Sequence, residues 1–558
     1  MNKMSKTTNK KTIIKLLHLL MPFWRKIFFL TICLVLLSGL TFCRPAIIQR
    51  IIDDGMQTNN FDAIVLYAGL LVCLAFLEQG MEILQSYNFL ILQNDFQLNL
   101  YKKIFIHLLR LPINYFEKRN SSEIISFINT DINRVSMIAD RSVLLFLNNL
   151  FKVISGIIGL ILIDIRLTFI VLLVIPIKAI VINILSKKRS DATKEVIETG
   201  RCFSAWFADV INGIVEVKLW NLYNRKTHSF IDKQKDLLDK NKKFSMLDIL
   251  NSGISNIIEW LLTSFLYLIG GWYICRGELT IGSIVAFISY SSYVTVPLTS
   301  LLGLKFIFSG ILPSAQRLFE FLELKSEKIK GIKVKGKFSN LTIEDVKFYY
   351  TPKKMVLEGL NLSIKNGEKI AIIGENGSGK STLLNLILRF YSPCSGVIKL
   401  NGEDIRKYSI NAYRDLFAVV SQDIYLFNET LLDNLLYKDE TNSEDLDGIC
   451  RKLGISKLIK SNSQGYHMMV DDNGKNFSGG EKRKIAFIRA AVKNAPIIVL
   501  DEPTANYDNE SIENLNKVLF QEFKDKTIIL ITHDYSCLEG MDKIYRLSKG
   551  KLNLIRER

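Results

Sequence analysis

The sequence predicts a multi-domain protein in which an all-α transmembrane domain of six helices precedes an α/β domain. The chain has 558 residues and is 48% hydrophobic, and its apolar residues dominate the stretch from residue 27 to about residue 310. Short β-branched runs and soluble-type helices follow that stretch. We expect four parts, namely a cytoplasmic N-terminal arm over 1–26, the transmembrane domain over 27–320, a linker over 321–338 and the α/β domain over 339–558.

Six apolar segments approach the ~20 residues that a spanning helix needs. They are Ile27–Cys43, Ile64–Leu84, Val143–Ile163, Leu167–Leu185, Ile254–Cys275 and Ile284–Phe306. The basic N-terminus followed by an apolar run resembles a signal peptide. No small-x-small cleavage site follows the first segment, so we expect that segment to remain as a membrane helix.

The joints between these segments are alternately short and long. The two long joints, 85–140 and 186–250, are rich in Lys and Arg. By the positive-inside rule, the long joints and both termini are therefore cytoplasmic. The short joints on the other side are Gln49–Asp62, Asp164–Arg166 and Arg276–Leu279.

The long joints retain helical spacing of apolar residues, for example at Phe96, Leu100 and Ile104. We therefore expect the membrane helices to continue into the cytoplasm and to turn there in pairs. One turn is predicted at Leu111-Pro112, because proline ends the helix before it, and the other at Trp206–Gly213.

Several ionisable residues fall inside the apolar segments, where a charge costs at least ~2.5 kcal/mol. They are Glu78, Glu82, Lys152, Lys178 and Glu259. Three interpretations remain open: a polar substrate cavity, ion pairing between helices, and a position near the lipid headgroups if the segments begin or end elsewhere.

The net charge of +17 raises the alternative of nucleic-acid binding. The basic residues instead flank apolar segments, as Arg25 and Lys26 do, and no nucleic-acid-reading motif is present. We therefore expect the lipid bilayer, and no nucleic acid, as a partner. Eight scattered cysteines and five histidines without ligand-like spacing argue against a disulfide framework and a transition-metal site.

The most specific motif is a glycine-rich loop between a predicted strand, Ile370–Ile373, and a predicted helix, Leu383–Phe390. In such a loop the backbone N–H groups surround phosphate oxygens, the lysine approaches the β- and γ-phosphates, and the hydroxyl after it binds Mg²⁺. These features predict a P-loop nucleotide-binding domain that takes ATP and Mg²⁺. The loop residues are Gly374, Glu375, Asn376, Gly377, Ser378, Gly379, Lys380, Ser381 and Thr382.

Two further strands end in polar side chains. Asp501 and Glu502 follow the run Ile497–Leu500, so Asp501 is a candidate Mg²⁺ ligand and Glu502 a candidate to orient or deprotonate the attacking water. A strand over Thr527–Ile531 leads to His533, which alone would be a weak signal.

The segments between these motifs resemble those of ATP-binding cassette proteins. Ser478, Gly479, Gly480 and Glu481 open a predicted helix and are similar to the signature motif of that family. Other segments are similar to its remaining motifs: Tyr350 to the adenine-stacking aromatic, Val420–Asp423 with Gln422 to the Q-loop, Gly465–Gly474 to the loop before the signature, Ala505–Asp508 to the D-loop, and Thr532-His533 to the H-loop. The membrane half resembles the exporter subfamily, through Leu109–Phe116 and Gly277–Phe287.

The resemblance implies a half-size exporter that acts as a dimer, with a homodimer favoured and a heterodimer left open. Each ATP would lie between the phosphate loop of one copy and Ser478–Glu481 of the other, beside Asp508. Gln422 would contact Mg²⁺, and His533 would hold the γ-phosphate. The cytoplasmic tips would dock on the ATPase domains. Phe477 and Glu481 depart from the usual Leu and Gln of the motif, but we expect ATP hydrolysis to survive because Ser478–Gly480 is kept.

We therefore predict ATP-driven export of a peptide, a lipid or an amphipathic small molecule, in a bacterial plasma membrane. The alternatives are a gated channel or sensor, a soluble cassette protein and an importer. A gated channel of this family would carry a long regulatory insertion, and none is seen in the sequence. The six apolar segments argue against a soluble cassette protein. Importers usually carry their membrane and ATPase parts on separate chains.

Overall fold

A computed structural model describes most of the chain in two compact units. The first unit comprises Met1–Leu108 and Ser122–Leu324, and the second comprises Leu109–Ser121 and Lys325–Arg558. The described residues are 2–117, 119–139, 141–297, 311–327, 331–334, 336–351, 354–436, 443–503, 523–533, 535 and 538–557.

The first unit is helical, as predicted. Its helices are α1 (Asn2–Leu20), α2 (Trp24–Arg50), α3 (Phe61–Leu108), α5 (Ser121–Ser136), α6 (Arg141–Ile163), α7 (Ile165–Asn212), α8 (Ile214–Leu219), α9 (Tyr223–Cys275), α10 (Ile281–Thr295) and α11, described over 311–322. Five helical stretches of the described chain are long and apolar enough to cross a membrane, and they contain the first five predicted segments. The sixth predicted segment begins in α10, and 298–306 of it lies outside the described residues.

Three of these helices are much longer than a bilayer is thick. α3 and α7 have 48 residues each and α9 has 53, so each is roughly 70–80 Å long, against a hydrocarbon core of ~30 Å. This confirms that membrane helices continue through the predicted cytoplasmic joints.

The two turns of the long joints differ in how well they were predicted. The first is where expected, because α3 ends at Leu108 and the short helix α4 (Ile113–Glu117) follows Pro112. The prediction of the second turn over Trp206–Gly213 is wrong, because α7 continues to Asn212 and the turn runs from Gly213 through α8 to Leu222. The aromatic rings Phe203, Phe207 and Phe230 pack against one another there and hold α7 beside α9.

Aspartates stabilise the short turns, which lie at the other ends of the membrane helices from the long joints. The Asp164 carboxylate accepts hydrogen bonds from the Arg166 and Leu167 N–H groups and caps α7. Asp53 accepts from the Thr280 hydroxyl at 2.6 Å and from the Gly282 N–H at 2.8 Å, which joins the first short turn to the start of α10. A Cβ atom on Gly282 would lie 2.5 Å from the Gln49 carbonyl oxygen, so the approach requires glycine.

One pair of the predicted intramembrane charges is a structural ion pair. Lys178 of α7 lies 3.1 Å from Glu259 of α9 and also donates to the Thr295 carbonyl at 2.9 Å. The Thr295 hydroxyl donates to the other oxygen of Glu259 at 2.6 Å. The pairing interpretation is therefore confirmed for these two residues, and the contacts join three membrane helices.

The second unit contains two sheets. The strands are β1 (Asn340–Thr351), β2 (Lys354–Lys365), β3 (Lys369–Ile373), β4 (Ser395–Leu400), β5 (Glu403–Asp404), β6 (Phe417–Val420), β7 (Ile497–Asp501), β8 (Thr527–Thr532), β9 (Lys543–Ser548) and β10 (Lys551–Glu557). The larger sheet has the order β10-β9-β3-β8-β7-β6, and only β10 is antiparallel to its neighbour. The smaller sheet, β2-β1-β4-β5, is antiparallel.

Seven α-helices are described in the second unit, and all but the first lie between these strands in the sequence. They are α4 (Ile113–Glu117), α12 (Lys380–Ile387), α13 (Ile410–Arg414), α14 (Leu431–Leu435), α15 (Ser443–Lys452), α16 (Ser456–Ser461) and α17 (Gly479–Lys493). The three predicted strands correspond to β3, β7 and β8, each with a buried apolar run. This confirms a helical transmembrane domain followed by an α/β nucleotide-binding domain.

A buried tyrosine provides a test of this packing. Tyr413 is fully buried and donates to the Ile387 carbonyl at 2.6 Å, at the end of α12. Tyr413→Phe should leave that buried carbonyl without its donor and cost about 1–2 kcal/mol. For a domain of this size, the unfolding midpoint of the full chain should fall by about 2–4 °C in calorimetry. Tyr545→Phe is the control, since that hydroxyl makes no hydrogen bond within the described residues; equal midpoints for both variants would contradict the prediction.

Candidate functional site

The glycine-rich loop lies between β3 and α12, in the order that the sequence predicts. Lys380 is 6% exposed, and its ammonium donates to the Gly374 and Glu375 carbonyls at 2.7 and 3.2 Å. Gly379 has a φ of 106°, a conformation that favours glycine, and directly precedes α12. The hydrogen bonds of the lysine therefore stabilise the curled loop, and its positive charge lies inside the loop.

The loop has the features that a bound phosphate requires. The Ser378 hydroxyl oxygen is buried and has no hydrogen-bond partner among the described residues. A Cβ on Gly377 would meet no atom within 4 Å, so the outer side of the loop faces open space. Glu375, Asn376 and Ser381 are exposed on the same segment. These residues fit a nucleotide phosphate chain, with backbone and hydroxyl donors around a lysine.

The helix after the loop differs from the predicted Leu383–Phe390. α12 starts at Lys380, because Gly379 already ends the loop, and it stops at Ile387. The stop arises because Arg389 adopts a φ of 56° and the Phe390 N–H bonds back to the Asn385 carbonyl at 2.8 Å, a Schellman-type ending.

Three neighbouring parallel strands bring the candidate catalytic residues together. Gln422 follows β6, Glu502 follows β7, and His533 follows β8. The Gln422 side-chain amide donates to one Glu502 oxygen at 2.8 Å, and His533 Nδ1 lies 3.3 Å from the other. Glu502 has a φ of 47°, an uncommon conformation for a non-glycine residue that directs its carboxylate between these neighbours.

Asp501 carries the features expected of a Mg²⁺ site. Its burial and the nearby carboxylates of Glu502 and Asp423 raise its pKa to about 6, although the Lys380 ammonium opposes the shift. Carboxylate and hydroxyl oxygens are the ligands that Mg²⁺ prefers. Asp501, Ser381 and Gln422 would hold the ion together with oxygens of the nucleotide.

Tyr350 lies beside the phosphate loop, together with a residue that the sequence did not single out. Its hydroxyl is 3.2 Å from the Thr382 hydroxyl, and half of the residue is exposed. The ring of Tyr391 meets that of Tyr350 edge to face, with 5.2 Å between centroids. The Tyr391 hydroxyl donates to the Glu117 carboxylate of α4. Burial, and then Glu117, raise the pKa of Tyr391 above its ordinary value, so the hydroxyl remains a donor at neutral pH.

The signature segment begins α17. The Ser478 hydroxyl accepts from the Glu481 N–H at 3.3 Å, while the Glu481 carboxylate accepts from the Ser478 N–H and hydroxyl, both at 2.8 Å. Glu481 therefore completes a capping box. A Cβ on Gly479 would meet no atom within 4 Å, so the turn faces open space. Phe477 is buried in a cluster of α14–α17, which explains how an aromatic replaces the usual Leu.

The site is thus assembled in two separate parts. The loop, Asp501, Glu502, Gln422, His533 and Tyr350 surround the ends of β3, β6, β7 and β8, whereas Ser478–Glu481 opens another helix. Asp508 and the rest of the predicted D-loop lie outside the described residues. The contact of Tyr391 with Glu117 joins positions 274 apart, so no local pattern could have indicated it.

Comparison with known proteins gives matches to both halves. A family model for the ABC transporter transmembrane region matches residues 27–298, and a second, for the ABC transporter, matches residues 357–505.

Curated relatives described as ATP-dependent lipid A-core flippases are similar over most of their length. One from Mannheimia succiniciproducens is 27% identical over 523 residues, which are 92% of this chain and 88% of the relative. Another, from Haemophilus ducreyi, is 28% identical over 512 residues, 91% of this chain and 88% of the relative. A solved bacterial Atm1-family ABC exporter with ATP bound shares the fold, with a TM-score of 0.77 over 95% of both chains at 23% identity.

The raised pKa of Asp501 predicts how binding of Mg²⁺–ATP depends on pH. With a pKa of about 6, the carboxyl is ionised at pH 7.5 and mostly protonated at pH 5.5. Lowering the pH across this range should weaken binding by about fourfold beyond the titration of ATP itself, because a proton must leave before the cation binds. Titration of the full chain with labelled ATP and Mg²⁺ measures the effect. In Asp501→Asn, the affinity for Mg²⁺–ATP should change with pH only as far as ATP itself titrates. If the affinity of both proteins has the same pH dependence, the prediction is contradicted.

Proposed function

The chain belongs to the ATP-binding cassette transporter family as a half-size exporter that couples ATP hydrolysis to transport, and from this premise we propose that two copies close around two ATP molecules. The separation of the loop Gly374–Thr382 from the open turn Ser478–Glu481 supports the proposal. The two segments are complementary. The phosphate loop has the lysine and lies beside the acidic end of its strand, whereas the turn Ser478–Glu481 has helix N-terminal N–H groups that attract phosphate. We favour a homodimer, because Gln422, Glu502 and His533 are all present.

The chemistry assigned to this site is hydrolysis of the γ-phosphoryl group. Lys380 and the loop N–H groups would hold the β- and γ-phosphates, and Tyr350 would stack on the adenine. Glu502 would accept a hydrogen bond from water and direct it at the γ-phosphorus, while His533 holds a γ-phosphate oxygen. The bond from the γ-phosphorus to the bridging oxygen breaks, and ADP and phosphate leave. Mg²⁺, when bound, neutralises the phosphate charge.

Tyr391 and Glu117 are proposed to communicate nucleotide binding to the first cytoplasmic tip. The observed contacts run from Thr382 of the phosphate loop to Tyr350, then to Tyr391, and then to Glu117 of α4. Because α4 is continuous in sequence with α3, a change at the adenine ring would reach a membrane-spanning helix. The second tip, Gly213 to Leu222, is proposed to dock on the other copy. Its Leu219 and Trp220 are exposed by more than two thirds.

The cargo is proposed to be an amphiphile of lipid-like character. The named activity of the curated relatives, lipid A-core flipping, supports this class. Both termini and the ATPase domain are proposed to be cytoplasmic, in a bacterial inner membrane, with the part boundaries at 1–26, 27–320, 321–338 and 339–558. The basic long joints support this orientation.

The decisive test is ATP hydrolysis by the purified full chain in lipid nanodiscs. Glu502→Gln should lower the rate by about 100-fold or more, because an amide cannot orient or deprotonate water as a carboxylate does. The variant should still bind ATP and accumulate as a closed dimer, measured by crosslinking. Glu403→Gln, at an exposed surface ion pair, is the matched control. A wild-type rate in Glu502→Gln would refute the role given to this carboxylate.

A separate measurement tests the communication through Tyr391. Tyr391→Phe removes the hydroxyl that Glu117 accepts and keeps the ring beside Tyr350. The ATP-dependent change in hydrogen exchange over residues 109–121 should therefore disappear, while the KM for ATP changes by less than about twofold. Glu117→Leu, which leaves no acceptor for the Tyr391 hydroxyl, should behave alike, and the two substitutions together should add little, since they remove the same bond. The Tyr545→Phe variant should show the same ATP-dependent change in hydrogen exchange as the wild type. If Tyr391→Phe also shows that change, communication through Tyr391 and Glu117 is excluded.

A further inference from the structure

The linker that follows α11 is attached to the second unit at two places. The Glu327 N–H donates to the Arg110 carbonyl of the first cytoplasmic tip at 2.7 Å. Further along the linker, the Ile332 carbonyl accepts from the Ser409 N–H at 3.0 Å. A Cβ atom on Gly331 would lie 2.5 Å from the Ser409 nitrogen, so this approach requires glycine. The linker therefore follows a defined path along the second unit, which begins at Glu327.

The side chain of Glu327 forms a two-point ion pair with Arg414, the last residue of α13. The guanidinium Nη1 lies 3.0 Å from one carboxylate oxygen, and Nη2 lies 2.7 Å from the other. Only 15% of the Glu327 side chain and 28% of the Arg414 side chain are exposed. In contrast, both side chains of the pair between Lys407 and Glu403 are more than half exposed. Shielding from water and bidentate geometry thus distinguish the Glu327 pair from surface ion pairs, which contribute little.

Arg414 also binds the end of the phosphate-loop helix α12. Its Nε donates to the Leu388 carbonyl at 3.2 Å, and its Nη2 donates to the Arg389 carbonyl at 3.1 Å. Carbonyls at the end of a helix have no partner within the helix, and Leu388 is the C-cap residue of α12. The helix begins at Lys380 and has eight residues, so it is roughly 12 Å long. Arg414 therefore supports one end of the short helix whose other end carries the phosphate-binding lysine.

The backbone of Arg414 is bonded to the helix that the signature segment opens. The ammonium of Lys493, the last residue of α17, donates to the Arg414 carbonyl at 3.1 Å and to the Phe417 carbonyl at 2.5 Å. α17 is the helix that Ser478 caps. Arg414 therefore contacts the C-terminal ends of both helices whose N-terminal ends are proposed to hold phosphate.

Stability alone does not account for a charged pair at this place. Shielded ion pairs are often no more stabilising than apolar side chains of similar volume, because both charges lose water. What the pair provides is direction, since a bidentate carboxylate fixes the plane of the guanidinium and so directs its remaining donors at the end of α12. Glu327 lies five residues after the described part of α11, so a movement of α11 is passed along the chain to this carboxylate.

We propose that Arg414 is a positioning residue for the phosphate loop and that Glu327 holds it in place from the linker. While the linker is bound, α12 and Lys380 keep the arrangement that binds ATP. When the membrane domain draws the linker away, Arg414 is released and the affinity for ATP falls. This regulation rests on the proposed function, because it acts on the same loop, and it is separate from the contact of Tyr391 with Glu117.

The first test measures ATP hydrolysis by the full chain in lipid nanodiscs over a range of Mg²⁺–ATP concentrations. Glu327→Gln keeps the shape of the side chain and removes the charge that holds Arg414. The KM for ATP should therefore rise about fivefold, while kcat changes by less than about twofold. Arg414→Gln also removes the donors to the end of α12 and should raise KM about tenfold. The matched control is Glu344→Gln, in an exposed ion pair with Lys399, which should leave KM and kcat unchanged.

Combining the two substitutions shows whether the two residues act together. If Glu327 acts through Arg414, the double variant should have the KM of Arg414→Gln alone. A rise equal to the product of the two effects, about fiftyfold, would overturn the proposal, as would a wild-type KM in Glu327→Gln. Arg414→Lys serves if Arg414→Gln does not fold, because lysine keeps the charge and cannot form the bidentate contact.

Hydrogen exchange distinguishes positioning of α12 from simple attachment of the linker. Without nucleotide, the backbone amides over 380–390 should exchange faster in Glu327→Gln than in the wild type, and saturating Mg²⁺–ATP should remove the difference. If faster exchange is confined to 331–334 and 407–409, the pair only anchors the linker and the proposal is refuted. A wild-type chain that hydrolyses no ATP would refute the proposed function, whereas the exchange measured without nucleotide would still decide the role of Glu327.

Discussion

A polar group in hydrocarbon must find its partner inside the protein, and the architecture of the first unit depends on this constraint. Each of the five spanning segments that the structure describes is helical, because the backbone in hydrocarbon has no other donor or acceptor available. Where a helix must begin, a side chain replaces the missing carbonyl, as Asp164 does for α7 and Asp53 does for α10. The same aspartates make the turns rigid, because each binds two donors. Gly282 is small so that α10 can approach the end of α2 closely enough for this contact.

The second unit obeys a different geometric rule. Parallel strands end at the same edge of a sheet, so residues that follow adjacent strands become neighbours wherever they lie in the sequence. β6, β7 and β8 are adjacent, and Gln422, Glu502 and His533 therefore meet although they are separated by dozens of residues. The strands lie side by side because their mostly buried apolar side chains pack in the core of the second unit.

The difference between local pattern and distant contact explains how much the sequence could predict. The membrane helices, three strands and the phosphate loop have periodicities or spacings that can be read over about 20 residues. The second turn of the long joints starts later than predicted, because the rings of Phe203, Trp206 and Phe230 pack within the helix pair and α7 continues to Asn212. The hydrogen bond of Tyr391 to Glu117 depends on how elements far apart in the sequence pack together, which no local sequence pattern encodes.

The arrangement around Glu502 links hydrolysis to conformational change. In the present structure one carboxylate oxygen accepts from Gln422 and the other lies against His533. If Glu502 is to direct a water molecule at ATP, at least one of these contacts must be exchanged, because each oxygen offers limited directions to a donor. In the proposed mechanism, a γ-phosphate oxygen would be the new partner of His533, and Mg²⁺ would be that of Gln422. Arrival of Mg²⁺–ATP would thus free the carboxylate for catalysis and move the segment after β6 at the same moment. A site arranged in this way would orient its water molecule only when the nucleotide is in place, so that the contacts of Gln422 and His533 with Glu502 would keep the carboxylate occupied before then.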